Sequence, residues 1–433
     1  MSLNLVALVA IILLFLLFTI GVPVAFSMAL VGFIGFAYVV DLHSALRLVA
    51  IDICETFASY GLTVVPLFIL MGQIGANAGI AKRLYDTSYK FIGHIPGGLA
   101  MATVLGAVAF KAVCGSTPAT SATFATVAVP EMDRYGYDKS LSTGTVATVG
   151  TLGVLLPPSV ALIIYGIITE QSIGRLFLAG IIPGLIVALV FFLTILIWSK
   201  VNPAIGPRGQ KSSWKARLAA LPAMLPILAV FILVVGTLMA GYFTPTEAGS
   251  VGTFAVLLFT LVKRDITFRQ FVSSLIASVD YACMILLLIA GATILGHFLA
   301  VTKIPFFLAD WLGALPLPRL LIIVMIMFVY LIGGSFIDDI AFVVLITPIL
   351  LPVINRLGFD LIWYGMMVMV TLMIGVVIPP VAINVFIVSS IAKVPQSTVY
   401  KGVYPYLVGM TVCGALLLIF PQISLWLPNL LMK

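Results

Sequence analysis

The sequence predicts an all-α polytopic membrane protein made of two inverted-topology repeats, each carrying a re-entrant helical hairpin and a helix broken at a Pro-Pro pair. Three observations predict it. The 433 residues are 62% hydrophobic and only 9% charged, with a mean hydropathy of +1.26, more apolar surface than a soluble domain can hide. Two apolar stretches are interrupted halfway by polar, irregular tips, and a set of motifs recurs 222 residues further along the chain.

The elements follow in order. The run Leu3–Ile20 has no basic residue ahead of it, the first being Arg47, so it reads as a retained span and not a cleaved leader. Further apolar segments fall near 22–40, 60–79, 140–169, 176–198, 221–240, 249–262, 271–300, 362–392 and 402–427, with the interrupted stretches at 97–131 and 319–354. In the first of these, Gly115 and Pro118 invite a break, so Gly115–Pro118 is expected to be unwound. The arms, 97–113 and 119–131, are shorter than the roughly 20 residues that cross a bilayer as a helix. Lys82, Arg83 and Lys90 stand before them and Glu131, Asp133 and Arg134 after. Two short arms with both outer ends in water describe a hairpin with its tip at mid-membrane. Non-helical backbone survives there only when it is buried in protein or lines a cavity.

The loop 199–220 carries Lys200, Arg208, Lys211, Lys215 and Arg217 with no acid, which places it in the cytoplasm. Threading outward puts 80–96, 131–139, 263–270 and 393–401 on the same side, and these five segments hold 15 of the 22 Lys and Arg residues. Both termini then face the periplasm after ten full crossings. The net charge of +7 is thus a topology signal, and nucleic acid is not an expected partner. Cys54, Cys114, Cys283 and Cys413 show no paired spacing, and His43, His94 and His297 have no second ligand at a metal spacing.

Arg134-Tyr-Gly-Tyr-Asp138 recurs as Arg356-Leu-Gly-Phe-Asp360, and Leu152-Gly-Val-Leu-Leu-Pro-Pro158 as Ile374-Gly-Val-Val-Ile-Pro-Pro380. Pro130 matches Pro352, and Gly180-Ile-Ile-Pro183 matches Gly402-Val-Tyr-Pro405. Upstream the offset is 219, pairing Gly115-Ser116 with Gly334-Ser335, so three residues are inserted in the second copy. Inverted repeats with broken helices are the pattern of secondary transporters, whose site lies at the repeat interface.

Four interruptions carry the chemistry: the tips 114–120 and 333–339, and the breaks at Pro157-Pro158 and Pro379-Pro380. A double proline removes two N–H donors and leaves carbonyls free for a dehydrated Na⁺, while half-helix N-termini offer N–H groups to an anion. Ser116, Thr117, Gly153 and Pro157 in the first copy, and Ser335, Asp338, Gly375 and Pro379 in the second, are the sodium candidates. Lys111, Thr120, Ser159, Asp339 and Asn384 are the substrate candidates. Of the two adjacent aspartates one is expected to cap a helix and the other to sit near the cation or the hinge. Lys111 could meet a substrate carboxylate, snorkel, or pair with an acid such as Asp280. Glu247 is expected at a helix start, with Thr244 or Thr246 capping. The stretches 80–94 and 303–319 look amphipathic and interfacial.

On Gly115-Ser-Thr-Pro-Ala-Thr120, Gly150-Thr-Leu-Gly-Val-Leu-Leu-Pro-Pro-Ser159, Thr347-Pro-Ile-Leu-Leu-Pro352, Leu357-Gly-Phe-Asp360 and Gly375-Val-Val-Ile-Pro-Pro380, the chain resembles, over essentially its whole length, the large membrane subunit of tripartite ATP-independent periplasmic (TRAP) transporters. The resemblance implies a Na⁺-driven importer of small organic acids in the bacterial inner membrane, working by an elevator motion. It implies two protein partners, a four-helix small membrane subunit on a separate chain and a periplasmic substrate-binding protein. It also implies sodium sites at the tips and Pro-Pro breaks. This sequence departs from the family pattern at Ile378-Pro-Pro-Val-Ala382, where Thr-Pro-Pro-Val-Gly is usual, and at Lys111, where many relatives carry a small residue.

The expected organisation is a scaffold (1–58, 172–270 and 394–433) around a mobile part (59–171 and 271–393) that holds both hairpins. The other function classes fare worse. A channel needs polar positions repeated along a pore, whereas polarity here gathers at mid-membrane. An intramembrane aspartyl protease needs two carboxylates facing each other, which the adjacent Asp338 and Asp339 cannot easily do. A Na⁺/dicarboxylate carrier that works without a binding protein is the alternative within transport.

Overall fold

Lipid offers no hydrogen bonds to the backbone, so long apolar runs such as Leu3–Thr19 close their own hydrogen bonds as helices. The computed structural model describes residues 3–432, and among these there are helices and no strands. The first half runs α1 (Leu3–Thr19), α2 (Val24–Val39), α3 (Leu42–Ala58), α4 (Val64–Asn77), α5 (Ile80–Ile92), α6 (Gly98–Phe110), α7 (Thr117–Arg134), α8 (Lys139–Gly150), α9 (Val160–Ile168) and α10 (Ile173–Val201). A bent connection follows, made of α11 (Trp214–Ala220), α12 (Leu225–Phe231) and α13 (Thr237–Met239). The second half runs α14 (Pro245–Val262), α15 (Phe268–Thr302), α16 (Ile304–Ala314), α17 (Arg319–Phe336), α18 (Asp339–Leu357), α19 (Leu361–Gly375), α20 (Ile383–Ala392), α21 (Gln396–Ile419) and α22 (Gln422–Leu431).

Among the described residues seven helices are long and apolar enough to cross a membrane, or eight if the pair Trp214–Ala223 and Leu225–Met239, bent by 42°, is one span. Several other apolar segments fold as shorter helices, so length alone does not count them. The segment 140–169 is α8, a 3-10 turn at Thr151–Val154, and α9. The segment 402–427 ends its helix at Ile419, and a new one starts beyond Pro421. The amphipathic α3, passed over in the sequence, starts at the side-chain cap of Asp41.

Two expectations about the first interrupted stretch need correction. The break runs from Lys111 to Ser116, and Thr117 and Pro118 already lie in the first turn of α7. Proline suits a first turn, because the N–H it lacks would have no helical partner there. The arms are accordingly 13 and 18 residues long, not 17 and 13.

Helix starts in the two halves keep a common spacing. Ser116 caps α7 and Asp338 caps α18, Asp138 caps α8 and Asp360 caps α19. Each pair is separated by the 222 positions that also part Thr117 from Asp339. The insertion read between the copies therefore falls between Ser335 and Asp338, where α17 extends to Phe336. The elements of the two halves also interlock: α8 packs on α21, α7 on α20, and α9 on α18. Gly144 of α8 lies directly against the backbone of Gly402 of α21, an approach that a side chain on either residue would block.

Candidate functional site

The first tip is built by three helix ends. Lys111 is the C-cap of α6, Ser116 is the N-cap of α7, and Gly150 is the last residue of α8. The Ser116 hydroxyl accepts from the Ala119 N–H at 3.4 Å, and Thr120 donates its own hydroxyl to the Ser116 carbonyl at 2.8 Å. Lys111, 1% exposed, turns inward: its Nζ donates to Thr120 Oγ1 at 2.5 Å, to the Gly150 carbonyl at 3.3 Å and to the Ser116 carbonyl at 3.4 Å. It does not snorkel and makes no ion pair among the described residues. Asp280, offered as a partner from the sequence, is exposed on α15 instead. Gly153 completes the wall, because a Cβ there would lie 2.5 Å from Lys111 Nζ.

The Pro157-Pro158 break is buried and lies against this tip, with the Pro158 carbonyl on Gly115. Ser159 caps α9 through the Leu162 N–H at 3.4 Å and donates to the Val154 carbonyl at 2.8 Å, so its hydroxyl holds the break together.

In the second half, Ser335 donates to the Ile332 carbonyl at 2.7 Å, and its own carbonyl accepts from Val381 N–H at 3.2 Å and Ala382 N–H at 3.4 Å. Gly375 faces Gly334 so closely that a Cβ on it would sit 2.9 Å from a Gly334 backbone carbon. Pro379 and Pro380, unlike the first pair, are exposed. The two junctions thus differ: the first encloses a buried lysine, and the prolines of the second are exposed.

The aspartates divide as their positions suggest. Asp338 caps α18, accepting from the Ile340 N–H at 3.2 Å. Asp339, 3% exposed, also accepts from that N–H at 2.9 Å and receives the Thr117 hydroxyl on its other oxygen at 3.4 Å. Asn384 enters from α20, donating to the Ala147 carbonyl at 3.2 Å. Its Oδ1 and the neighbouring Ser121 Oγ are buried and find no hydrogen-bond partner among the described residues. Such groups ordinarily have a partner.

Lys111, Thr117, Thr120, Ser116, Gly153, Asp339 and Asn384 thus come together around the ends of α6, α7 and α8. Gly334, next to Ser335, meets Gly375 in the second junction, and Pro379 is exposed. Sequence reasoning missed Ser121, adjacent to a nominated threonine, and Tyr281. The latter lines both a cavity of about 320 Å³ against Cys114, Gly115 and Ser116 and a larger one against Ile337 and Asp338. Neither residue carries a motif.

Residues 11–423 match the model of the family described as "Tripartite ATP-independent periplasmic transporter, DctM component". The C4-dicarboxylate TRAP transporter large permease protein DctM of Pseudomonas aeruginosa is 35% identical over 89% of this chain and 90% of its own length. The sialic acid TRAP transporter large permease protein SiaM of Vibrio cholerae is 31% identical over 95% of each. Among solved structures, the YdaH transporter of Alcanivorax borkumensis superposes with a TM-score of 0.63 at 13% identity, over 89% of this chain and 90% of that one, a likeness of fold alone. These relatives are permeases and not enzymes. The chain belongs to the DctM family, the large permeases of tripartite ATP-independent periplasmic transporters.

Proposed function

We propose that the chain is the membrane permease of a Na⁺-coupled secondary importer, carrying a small organic acid across the bacterial inner membrane by an elevator motion. A periplasmic binding protein would deliver the substrate, and a four-helix small membrane subunit would brace the scaffold. The observation that carries this reading is the buried polar junction where the two halves of the chain meet. The Thr117–Asp339 hydrogen bond joins the two tips, and the side chains of Ser121 and Asn384, each with an unpaired oxygen, lie against Gly150 at the end of α8.

The shared spacing of helix starts supports two repeats, each with a hairpin (97–131 and 319–354) and a Pro-Pro-broken helix. The charge asymmetry of the loops supports placing them in opposite orientations, with both termini periplasmic. In this reading 59–171 and 271–393 move against a scaffold of 1–58, 172–270 and 394–433. The substrate sits between the tips, its carboxylate facing the N-terminus of α7 and its hydroxyl or carbonyl groups meeting Asn384 and Ser121. The cavity of about 320 Å³ at the first tip suits a small acid. Sodium is coordinated at the second junction by the Ser335, Asp338, Gly375 and Pro379 oxygens, which orders the tip. The ion can shift the equilibrium only by binding the substrate-competent arrangement more tightly.

Uptake into proteoliposomes holding this chain and its small subunit tests the reading. C4-dicarboxylates and sialic acid would be offered under an inward Na⁺ gradient, with and without the binding protein. Uptake that needs both Na⁺ and the binding protein is expected. Flux indifferent to the binding protein would point to a self-sufficient carrier, and flux unchanged when K⁺ replaces Na⁺ would remove the coupling.

A further inference from the structure

We infer that the ammonium group of Lys111 is a tethered cation occupying the first junction, so that this permease binds no Na⁺ there and draws its sodium coupling from the second junction alone. The inference rests on the transport reading above and deepens it by assigning different cations to the two junctions.

The geometry carries the argument. All partners of Lys111 Nζ are oxygens that accept: the Gly150 carbonyl at 3.3 Å, the Ser116 carbonyl at 3.4 Å and Thr120 Oγ1 at 2.5 Å. Thr120 has already given its own hydrogen to Ser116, so Nζ must supply all the hydrogens, which an ammonium does and a neutral amine cannot. Carbonyl and hydroxyl oxygens without nitrogen or sulfur are the donor set of a hard metal cation. Here they surround a side-chain charge. The surroundings suit a positive charge for a second reason: α6 ends at Phe110 and α8 at Gly150, so two helices turn their negative ends toward it.

The ammonium also takes the position an ion would need. A Cβ on Gly153 would lie 2.5 Å from Nζ, and Lys111 is 1% exposed, so Nζ is packed between the Ser116 and Gly150 carbonyls. The second junction has no such occupant. Tyr330, which matches Lys111 at the upstream offset of 219, directs its hydroxyl to Thr347 at 3.1 Å, and Pro379 and Pro380 are exposed. One chain therefore holds one junction closed on a covalently attached charge and one that carries no such charge.

The test counts bound sodium on the full chain with its small subunit in nanodiscs, using radioactive Na⁺ and, separately, the thermal stabilisation by NaCl over choline chloride, which rises with each ion bound to the folded state. Lys111→Met, which keeps the length of the stem and removes the charge, is expected to bind about one Na⁺ more per chain than wild type and to gain a larger stabilisation by Na⁺. Lys111→Arg keeps the charge and is expected to gain neither. An equal, non-zero sodium count in wild type and Lys111→Met overturns the tethered cation while leaving sodium coupling intact. A gain in Lys111→Met from a wild type that binds none supports the tethered cation and removes sodium coupling instead. No binding in either protein overturns both.

A cryo-EM map of the wild type in saturating NaCl needs no variant to fold. Lysine density continuous to the Gly150 carbonyl supports the assignment. A separate ion between the Ser116 and Gly150 carbonyls, with Lys111 turned elsewhere, overturns it.

Discussion

Thr117 and Asp339 stand 222 positions apart in the chain and hydrogen-bond to each other, hydroxyl to carboxylate, at 3.4 Å. Each is the first residue of its helix, following the caps Ser116 and Asp338. The same spacing that relates the motifs in the sequence thus relates two side chains in contact, and the pair lies where the two halves of the permease meet.

This pair separates the roles of adjacent aspartates. Asp338→Ala removes the N-cap of α18 and a proposed sodium ligand, and is expected to lower stability by about 1 kcal/mol and to raise the Na⁺ concentration that uptake requires, with uptake at saturating Na⁺ falling in proportion to folded protein. Asp339→Ala removes the link between the tips, so uptake per folded protein is expected to fall by about tenfold, the size of a coupling near 1.4 kcal/mol. Thermal melts of both variants, set beside uptake normalised to folded protein, distinguish them. Equal specific uptake in the two would remove the special role of Asp339.

The glycine contacts predict a ranking of stabilities. A methyl group on Gly375 meets a Gly334 backbone carbon at 2.9 Å, and backbone cannot swing aside, so Gly375→Ala is expected to lose roughly 1–3 kcal/mol. A methyl on Gly153 meets the flexible end of Lys111 at 2.5 Å, so Gly153→Ala is expected to cost less in melting temperature while displacing the ammonium. Gly153→Ala melting below Gly375→Ala would show that the lysine is held more rigidly than its single-bonded stem suggests.

Breaks and caps were legible because each rests on local chemistry. Thr244 and Glu247 form the expected reciprocal cap, the threonine hydroxyl accepting from Glu247 N–H at 3.3 Å and the carboxylate from Thr244 N–H at 2.8 Å. Asp338 likewise caps where a helix had to begin. The partners of Lys111 were not legible, since Gly150 comes from a helix end 39 positions away and nothing near Lys111 in the sequence names it. The extent of the first tip was misjudged for a local reason: proline was read as a breaker where it serves as the first turn of α7. The engagement of the Ser159 hydroxyl with Leu162 and Val154 was not legible either, because only the fold brings these groups together.

Ser121 and Asn384 give the sharpest test of where the substrate sits. The Ser121 hydroxyl is buried without a protein partner among the described residues, so Ser121→Ala deletes no internal hydrogen bond and is expected to leave the melting temperature unchanged or slightly raised. If that hydroxyl binds the organic acid, the KM for uptake rises by about five- to tenfold, as for a lost hydrogen bond of about 1 kcal/mol. Asn384→Ala behaves differently, because it strips the Ala147 carbonyl of its donor and leaves a buried acceptor unsatisfied, at roughly 1–3 kcal/mol. It is expected to lose both stability and uptake, whereas Ser121→Ala loses only apparent affinity. An unchanged KM in Ser121→Ala with wild-type stability would remove Ser121 from the substrate site.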